Sequence, residues 1–315
     1  MTKLISVIMP VYNASAYLSY SIESILNQSF KDFQFILIND GSTDKSLEII
    51  KTYYDIDKRI KIIDKDNTGA ASSFNLGLKI AKSKFIARMD SDDISLPKRF
   101  EEQLKYFEKF SNIDVLGTGI NLIDSKGKSI KSILFPQKHS DILKRMELTS
   151  PMANPTVMIK KKLFDELGPL DTNTDPADDY DFIVRALIKK KIVTNLNKVL
   201  LKYRIHQNNL SKINNTKQID ISYKSREKLI SEGLLVSNIS KIEYQIRNLP
   251  TIDDKIFDEQ KLNIEQMSLN SKKVFFYKSI LTNIYSRRLI TQRNYYKGIK
   301  KFIQSLLFYF MSICS

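Results

Sequence analysis

From residue 4 to residue 89 short apolar runs alternate with longer segments whose apolar positions recur every three or four residues. Leu4 to Met9, Phe33 to Ile38, Ile60 to Ile63 and Phe85 to Met89 have the length and the β-branched or aromatic content of strands. Between them, Tyr17 to Asn27, Lys45 to Tyr54 and Ala70 to Ala81 carry a helical stripe. Runs that are apolar on both faces suit strands covered by helices on each side, so this part of the chain predicts a mainly parallel α/β sheet. Ligands of such sheets lie beyond the carboxyl ends of the strands. Polar and special residues gather at those ends: Pro10-Val11-Tyr12-Asn13, Asn39-Asp40-Gly41-Ser42 and Asp90-Ser91-Asp92-Asp93.

Beyond residue 114 the pattern changes. Val115 to Ile123 and Ile130 to Phe135 flank Asp124-Ser125-Lys126-Gly127, a hairpin signature. A strand near Thr156 to Ile159, a helix over Asp178 to Lys189 and a strand over Lys198 to Arg204 follow. The Asn-rich stretch Gln207 to Thr216 reads as a linker, and the remainder carries helical patterns without strand signals. Two regions are therefore expected, 1–215 and 216–315, the second helical.

Composition narrows the class. The chain has 315 residues, 42% hydrophobic and 27% charged, which fits a globular protein. The one cysteine, Cys314, cannot form an internal disulfide or a four-cysteine zinc site, so a cytoplasmic setting is expected. The opening MTKLISVIMPVYN lacks the apolar length and cleavage site of a signal peptide, and no run approaches the roughly 20 apolar residues of a membrane span.

The net charge of +15 is unevenly placed. After Glu265 there is no acidic residue, while nine lysines and arginines lie between Lys272 and Lys301. Ile299, Phe302, Ile303, Leu306, Leu307, Phe310 and Ile313 recur beside them at helical spacing, the pattern of an interfacial helix. Such a tail serves an anionic membrane surface, where each basic residue adds about 1 kcal/mol, or an oligomer contact, or is simply a solvated face.

Three carboxylates in the four residues Asp90 to Asp93 crowd together at a cost unless a cation uses them. In an extended segment Asp90 and Asp92 project to one side, and magnesium or manganese favours such oxygen ligands and bridges them to substrate phosphates. The plainer reading is an acidic loop before a helix near Leu96-Pro97, with Ser95 as its cap. A second acidic cluster, Asp175-Pro176-Ala177-Asp178-Asp179-Tyr180-Asp181, has a good capping explanation, with Asp175 as N-cap and Pro176 at the first helical position. That leaves Asp179 over, pointing about 100° away from Asp178 on a helix. A carboxylate there can accept a proton as a general base. Tyr12 offers a flat face to a nucleobase, though a half-buried aromatic is as good a reading; Asp40 is first of all a turn residue. His206, with Arg204 nearby, can ligate metal or donate to a diphosphate, although a lone histidine at a strand end is more often structural.

In order along the chain, these segments resemble the family 2 glycosyltransferases. The resemblance rests on Ser6-Val7-Ile8-Met9-Pro10-Val11-Tyr12-Asn13, Asn39-Asp40-Gly41-Ser42-Thr43-Asp44, Asn67-Thr68-Gly69, Asn75-Leu76-Gly77 and Ala87-Arg88-Met89-Asp90-Ser91-Asp92-Asp93. It continues through Pro155-Thr156-Val157-Met158, Asp178-Asp179-Tyr180-Asp181 and Tyr203-Arg204-Ile205-His206, about 200 residues in all. It implies a GT-A nucleotide-diphospho-sugar transferase fold, Rossmann-like with a mainly parallel mixed sheet, followed here by a C-terminal helical extension.

The resemblance also implies roles. Pro10, Val11, Tyr12 and Asn13 would line the base pocket, and Asp40 would hydrogen-bond a uracil. Asp90 would lie against the ribose, and Asn67, Gly69, Arg88, Ser91, Asp178 and Arg204 would complete the UDP-sugar contacts. Asp92 and His206 would hold Mn2+ or Mg2+ on the diphosphate, and Asp179 would be the catalytic base. The chain departs from the family pattern at Asp178, usually Glu, at Asn154, often His, and at Phe74, often Arg. The expected reaction is inverting transfer of a sugar to a hydroxyl of a lipid-linked saccharide, in bacterial surface polysaccharide synthesis at the inner face of the membrane. A dinucleotide enzyme would need Gly-x-Gly-x-x-Gly after the first strand, which is absent. A basic nucleic-acid-binding module would leave both acidic clusters unexplained, so no nucleic-acid partner is expected; a catalytically dead partner subunit would have no reason to keep Asp90, Asp92 and Asp179.

Overall fold

The first strand, β1 (Ile5–Val11), is buried along almost its whole length and lies in parallel between β2 (Phe33–Asp40) and β4 (Phe85–Arg88). β3 (Ile60–Lys65) adds to β2, also in parallel. This computed structural model describes residues 3–147, 149–207, 209 and 215–235, with the isolated positions 282 and 304.

Alternation along the strands divides the core into two layers. Ile8, Ile36 and Ile38 face one side with Phe74, Leu78 and Phe182; Val7, Met9, Phe33, Phe35 and Leu37 face the other with Leu18, Ile22, Phe100 and Phe107. The first layer is roofed by α3 (Ala70–Ile80), α6 (Lys161–Leu167) and α7 (Asp178–Ile188). The second is covered by α1 (Leu18–Leu26), α2 (Ser46–Ile56) and α4 (Arg99–Lys109). The Val11, Asp40 and Arg88 ends of the three parallel strands therefore open along one edge of the covered sheet.

Past β4 the sheet changes direction. β8 (Met158–Lys160) pairs antiparallel with both β4 and β6 (Ile113–Ile123), and β9 (Ile192–Arg204) runs parallel to β6. The short strand β5 (Ile94–Ser95) pairs with β9, and β7 (Ser129–Ile133) forms the expected hairpin with β6. The full order is β3-β2-β1-β4-β8-β6-β9-β5. The reversal at β4 and β8 opens a crevice where Arg88 leads into the acid turn.

Two capping expectations fail. Ser95 caps nothing, because pairing of Ile94 and Ser95 with Lys202 and Leu201 draws it into β5, and α4 begins only at Arg99. Asp175 does not cap its own helix: α7 starts at Asp178 behind Ala177, while the Asp175 side chain faces Gly69 and accepts a bond from the Ala71 amide at the start of α3.

The chain divides into two compact units, residues 1–235 and 236–315. The first reaches past the expected boundary at 215 because α8 (Asn215–Ser231) packs on α7 and sends Leu229 into the same core layer as Tyr180 and Val184. α5 (His139–Met146) completes this unit. The basic tail from Lys272 onward lies outside the described residues. No helix among the described residues is long and apolar enough to cross a membrane.

Candidate active site

Three strand ends form the floor. Tyr12 follows β1 with its ring 51% exposed, and Asn13 turns the chain with a φ of 47°. The Asn13 amide donates to Ser42 Oγ at 3.1 Å, and its Oδ1 accepts from the Thr43 amide at 2.8 Å, which ties the β1 turn to the β2 turn. Asp40, at the end of β2, is buried. Its carboxylate accepts from the Thr68 amide at 2.9 Å and the Gly69 amide at 3.0 Å and pairs with Lys65. Asn67 adds a bond from Nδ2 to the Asp40 carbonyl at 3.0 Å. Asp40, expected at the base, thus has both oxygens engaged in shaping the 67–69 loop. That loop passes close: a Cβ on Gly41 would sit 2.6 Å from the Asn67 nitrogen, so glycine is required there.

The acid turn leaves β4 beneath this floor. Asp90, Ser91 and Asp92 are partly buried and Asp93 wholly so. Burial and then the Asp92 carboxylate push the Asp90 carboxyl up to about 7, against the pull of Arg88; Asp179 and Asp178 push it further the same way. The acid turn and the start of α7 are therefore close enough for their charges to act on one another. Asp93 is raised as well, by burial and then by Asp92 and Asp90. It points inward, accepting from the Arg204 amide at 2.8 Å, and anchors the turn without reaching the cleft.

Asp92 meets His206: Oδ2 lies 2.8 Å from Nε2, and the imidazole is in ring contact with Tyr17 at 5.0 Å. The neighbouring Asp90 and Asp92 carboxylates offer the oxygen ligands that manganese and magnesium favour, with the His206 imidazole beside them, and their crowding is the charge a divalent cation relieves. Among the described residues no group of three or more His, Cys, Asp or Glu side chains is placed to hold a metal ion. A cation held here would take its remaining ligands from substrate or water.

Arg204, expected beside the diphosphate, is 3% exposed and turned inward. Its Nε donates to the Asp92 carbonyl at 2.9 Å and a terminal nitrogen to the Asp124 and Ser125 carbonyls at 3.3 Å, with the guanidinium 4.5 Å from the Tyr17 ring centre. The long β6 and β9 pairing delivers it there, since Arg204 lies opposite Ile123, next to the hairpin turn. The residue acts as a strut under the acid turn.

The far wall is the start of α7. Asp178 is buried and pairs at 3.4 Å with Arg88, whose guanidinium lies 4.5 Å from the Phe74 ring centre. Aromatic Phe74 is thus the support of this arginine. Asp179 points elsewhere, into a small cavity with Arg88, Asn154 and Phe182. Burial and then Asp178 push its carboxyl up to about 6, against Arg88 and the amides of Tyr180 and Asp179.

Sequence reasoning missed two supports. Arg99 is fully buried below the turn and donates to the Arg88 carbonyl at 2.9 Å; burial pushes it down to about 9, against the attraction of Asp90 and Asp93. A cation in the first turn of a helix opposes the helix dipole, and that was its signal. Asn209 lay in the supposed linker, yet its Oδ1 accepts from the His206 amide at 2.6 Å and its Nδ2 donates to the Arg204 carbonyl at 3.0 Å.

Residues 6–168 match the model of glycosyl transferase family 2, more than half of the chain. An uncharacterized glycosyltransferase of Haemophilus influenzae is 30% identical over 96% of this chain and 97% of its own. The O-antigen biosynthesis glycosyltransferase WbnJ of Escherichia coli is 36% identical over 66% of this chain and 82% of its own. Among solved structures, residues 1–349 of TarS from S. aureus in complex with UDP superpose with a TM-score of 0.57 at 18% identity, covering 96% of this chain and 90% of that one. The mannosyltransferase PcManGT of Pyrobaculum calidifontis, in complex with GDP-Man and Mn2+, gives 0.60 at 12% identity over 97% and 88%. The last two likenesses carry the fold, the GT-A arrangement of a mostly parallel mixed sheet. Fold, ordered motifs and family match agree: the chain belongs to glycosyl transferase family 2.

Proposed function

We propose that this glycosyltransferase moves a sugar from a UDP-sugar to a hydroxyl of a lipid-linked saccharide, with inversion, during bacterial surface polysaccharide synthesis. The observation that carries the proposal is the pairing of Asp92 with His206, with Asp90 within electrostatic reach of both Asp92 and Asp179. Similarity to an O-antigen glycosyltransferase supports the pathway, and the UDP complex of TarS supports the donor. The Mn2+ in PcManGT supports a divalent cation at Asp92 and His206.

In this reading Pro10, Val11, Tyr12 and Asn13 receive the uracil on the exposed Tyr12 ring, and the loop of Asn67 and Gly69 closes over it under the control of Asp40. Asp90 and Ser91 lie along the ribose. Mn2+ or Mg2+, when bound, would supply positive charge to the departing diphosphate. Asp92 and His206 would hold that charge in place, while Arg204 keeps the turn from yielding. Arg88 and Asp178 fix the wall against which the sugar rests. Asp179 takes the proton of the acceptor hydroxyl as it attacks the anomeric carbon, and its raised affinity for protons suits that task near neutral pH. One base and no second carboxylate in the role of nucleophile corresponds to a single displacement, hence inversion. The acceptor's lipid would lie at the inner membrane face, reached through the basic region 216–315.

Binding and hydrolysis of UDP-glucose, UDP-galactose and their N-acetylamino forms with Mn2+ test this. One donor should bind only with metal, Asp92→Ala should abolish that binding, and Asp179→Asn should keep binding but lose transfer. A protein that binds none of these donors under any metal condition would refute the reading. Product NMR showing a retained anomeric configuration would refute inversion. Deleting the chain after residue 267 should abolish binding to anionic vesicles; unchanged binding removes the tail from the proposal.

A further inference from the structure

The residues that match the family model end at 168, ahead of both α7 and α8. Yet α7 carries Asp179, and α8 holds α7 from behind. Asp181 comes two residues after Asp179, about 200° around the helix, so it faces away from the cleft. It is 1% exposed, and a buried carboxylate must be paired. Its partners are Arg185 Nε at 2.9 Å on its own helix, and Lys228 Nζ at 2.8 Å and Ser225 Oγ at 3.2 Å on α8.

Other ties come from the same helix. Gln218 Nε2 donates to the Pro176 carbonyl at 3.3 Å, just ahead of α7. Arg226 donates to the Glu147 carbonyl at 2.7 Å, beside Met146, whose carbonyl accepts from the Tyr180 hydroxyl. Gln218, Ser225 and Lys228 recur at the three- and four-residue multiples that place side chains on one helical face, with Ile221 and Leu229 supplying its apolar part. Although burial pushes the Asp181 carboxyl upward, the bond from Lys228 and the charges of Lys228 and Arg185 together hold it below the usual range.

We infer that Asp181 and Lys228, with Ser225, are positioning residues for the transfer step: they lock the rotation of α7 and so fix where Asp179 points. A helix with its side chains is about 10–12 Å across, so a roll of about 20° carries a side-chain tip about 2 Å. Misplacement of a reacting group by about 1 Å can cost on the order of a hundredfold in rate. The metal and diphosphate contacts are untouched by such a roll, because Asp92 and His206 hang from other elements, whereas Asp178 turns with α7 and meets the donor only at its sugar. The inference rests on Asp179 being the base.

The test uses the full-length protein, Mn2+ and the UDP-sugar that the donor screen selects, and measures kcat, the Mn2+-dependent affinity for UDP and melting temperature. Lys228→Met should lower kcat about tenfold or more and leave UDP affinity within about twofold, with Lys228→Arg recovering most of the loss. Asp181→Asn, which keeps the shape, should show the same division between kcat and UDP affinity. If Lys228→Met turns over like the parent while Asp179→Asn is inactive, the inference is overturned. It is equally overturned if kcat and UDP affinity worsen together and arginine restores neither, since that is general loosening. An active Asp179→Asn protein would overturn the assignment of the base itself, and this inference with it.

Discussion

Replacing Asp90 with Asn should make the metal-free protein more stable at pH 8 and only slightly more stable at pH 4.5. Burial and the neighbouring Asp92 push the Asp90 carboxyl from an ordinary 3.8 up to about 7. Its folded-state affinity for the proton is raised, so the penalty for ionising it is absent below pH 4. That penalty grows as pH rises through the window from about 4 to 7 and is complete above. At about 1.36 kcal/mol per pH unit the full cost is roughly 4 kcal/mol. Because Asp92, Asp178 and Asp179 share the same field, removing one acid should relieve about half of it, roughly 2 kcal/mol. For a folded unit of this size that corresponds to a rise in melting temperature of roughly 4–8 °C. The assay is thermal unfolding by circular dichroism in EDTA at pH 4.5, 6 and 8, with parent and variant side by side. A gain that does not change with pH, or a variant less stable than the parent at pH 8, would refute the reasoning. Adding Mn2+ and UDP should reverse the ranking, because only the parent keeps the carboxylate that lies along the ribose and whose charge the cation at Asp92 offsets.

Other outcomes follow from the same geometry. The Asp179 carboxyl is pushed up to about 6 and must be ionised to accept a proton, so kcat/KM should fall about tenfold per pH unit below 6 and level off above it, while Asp179→Asn gives a low, flat profile. Arg204→Lys keeps the charge but not the fork that reaches the carbonyls of Asp92, Asp124 and Ser125; it should cost roughly 2–4 kcal/mol in urea unfolding and weaken metal-dependent UDP binding in calorimetry. Gly69→Ala places a Cβ 2.7 Å from Asp175 Oδ2 at a φ of 94°, and should destabilise by roughly 1–3 kcal/mol, of which Asp175→Ala in the same chain recovers only the part due to the clash.

The parallel half of the sheet was legible because its strands are buried on both faces and written in unbroken apolar runs; Phe33 to Ile38 allowed no other reading. The acid turn was legible because three adjacent carboxylates are too costly to lack a purpose. β9 was only half seen. The expected strand began at Lys198, whereas β9 begins at Ile192 and includes the polar Asn195, which is fully buried and donates to the Pro136 and Pro151 carbonyls. Asp175 was read as the cap of its own helix and Arg204 as a phosphate partner, whereas the groups they meet in the fold lie far away in the chain. A sequence displays a guanidinium but not the carbonyls that will absorb its donors. α8 was assigned to the second region for a related reason: its mean polarity is that of a surface helix, and only docking on α7 gives Ser225 and Lys228 an acid to hold.

The strut under the acid turn also fixes when the site comes into being. Arg204 closes on Asp92 and Asp93 at sequence separations of 112 and 111, and His206 reaches Asp92 at a separation of 114. Contacts so distant in the chain carry a large loop-closure cost and form late. A nascent chain that has emerged only through β8 has its parallel sheet, its floor and its acid turn, yet the turn is unbraced and half of the metal pair has not been made. In refolding, recovery of helix signal should therefore run ahead of recovery of metal-dependent nucleotide binding. On the proposed reading the grip on the donor is completed at the last step of assembly, and chains folded only through β8 should not bind nucleotide-sugar.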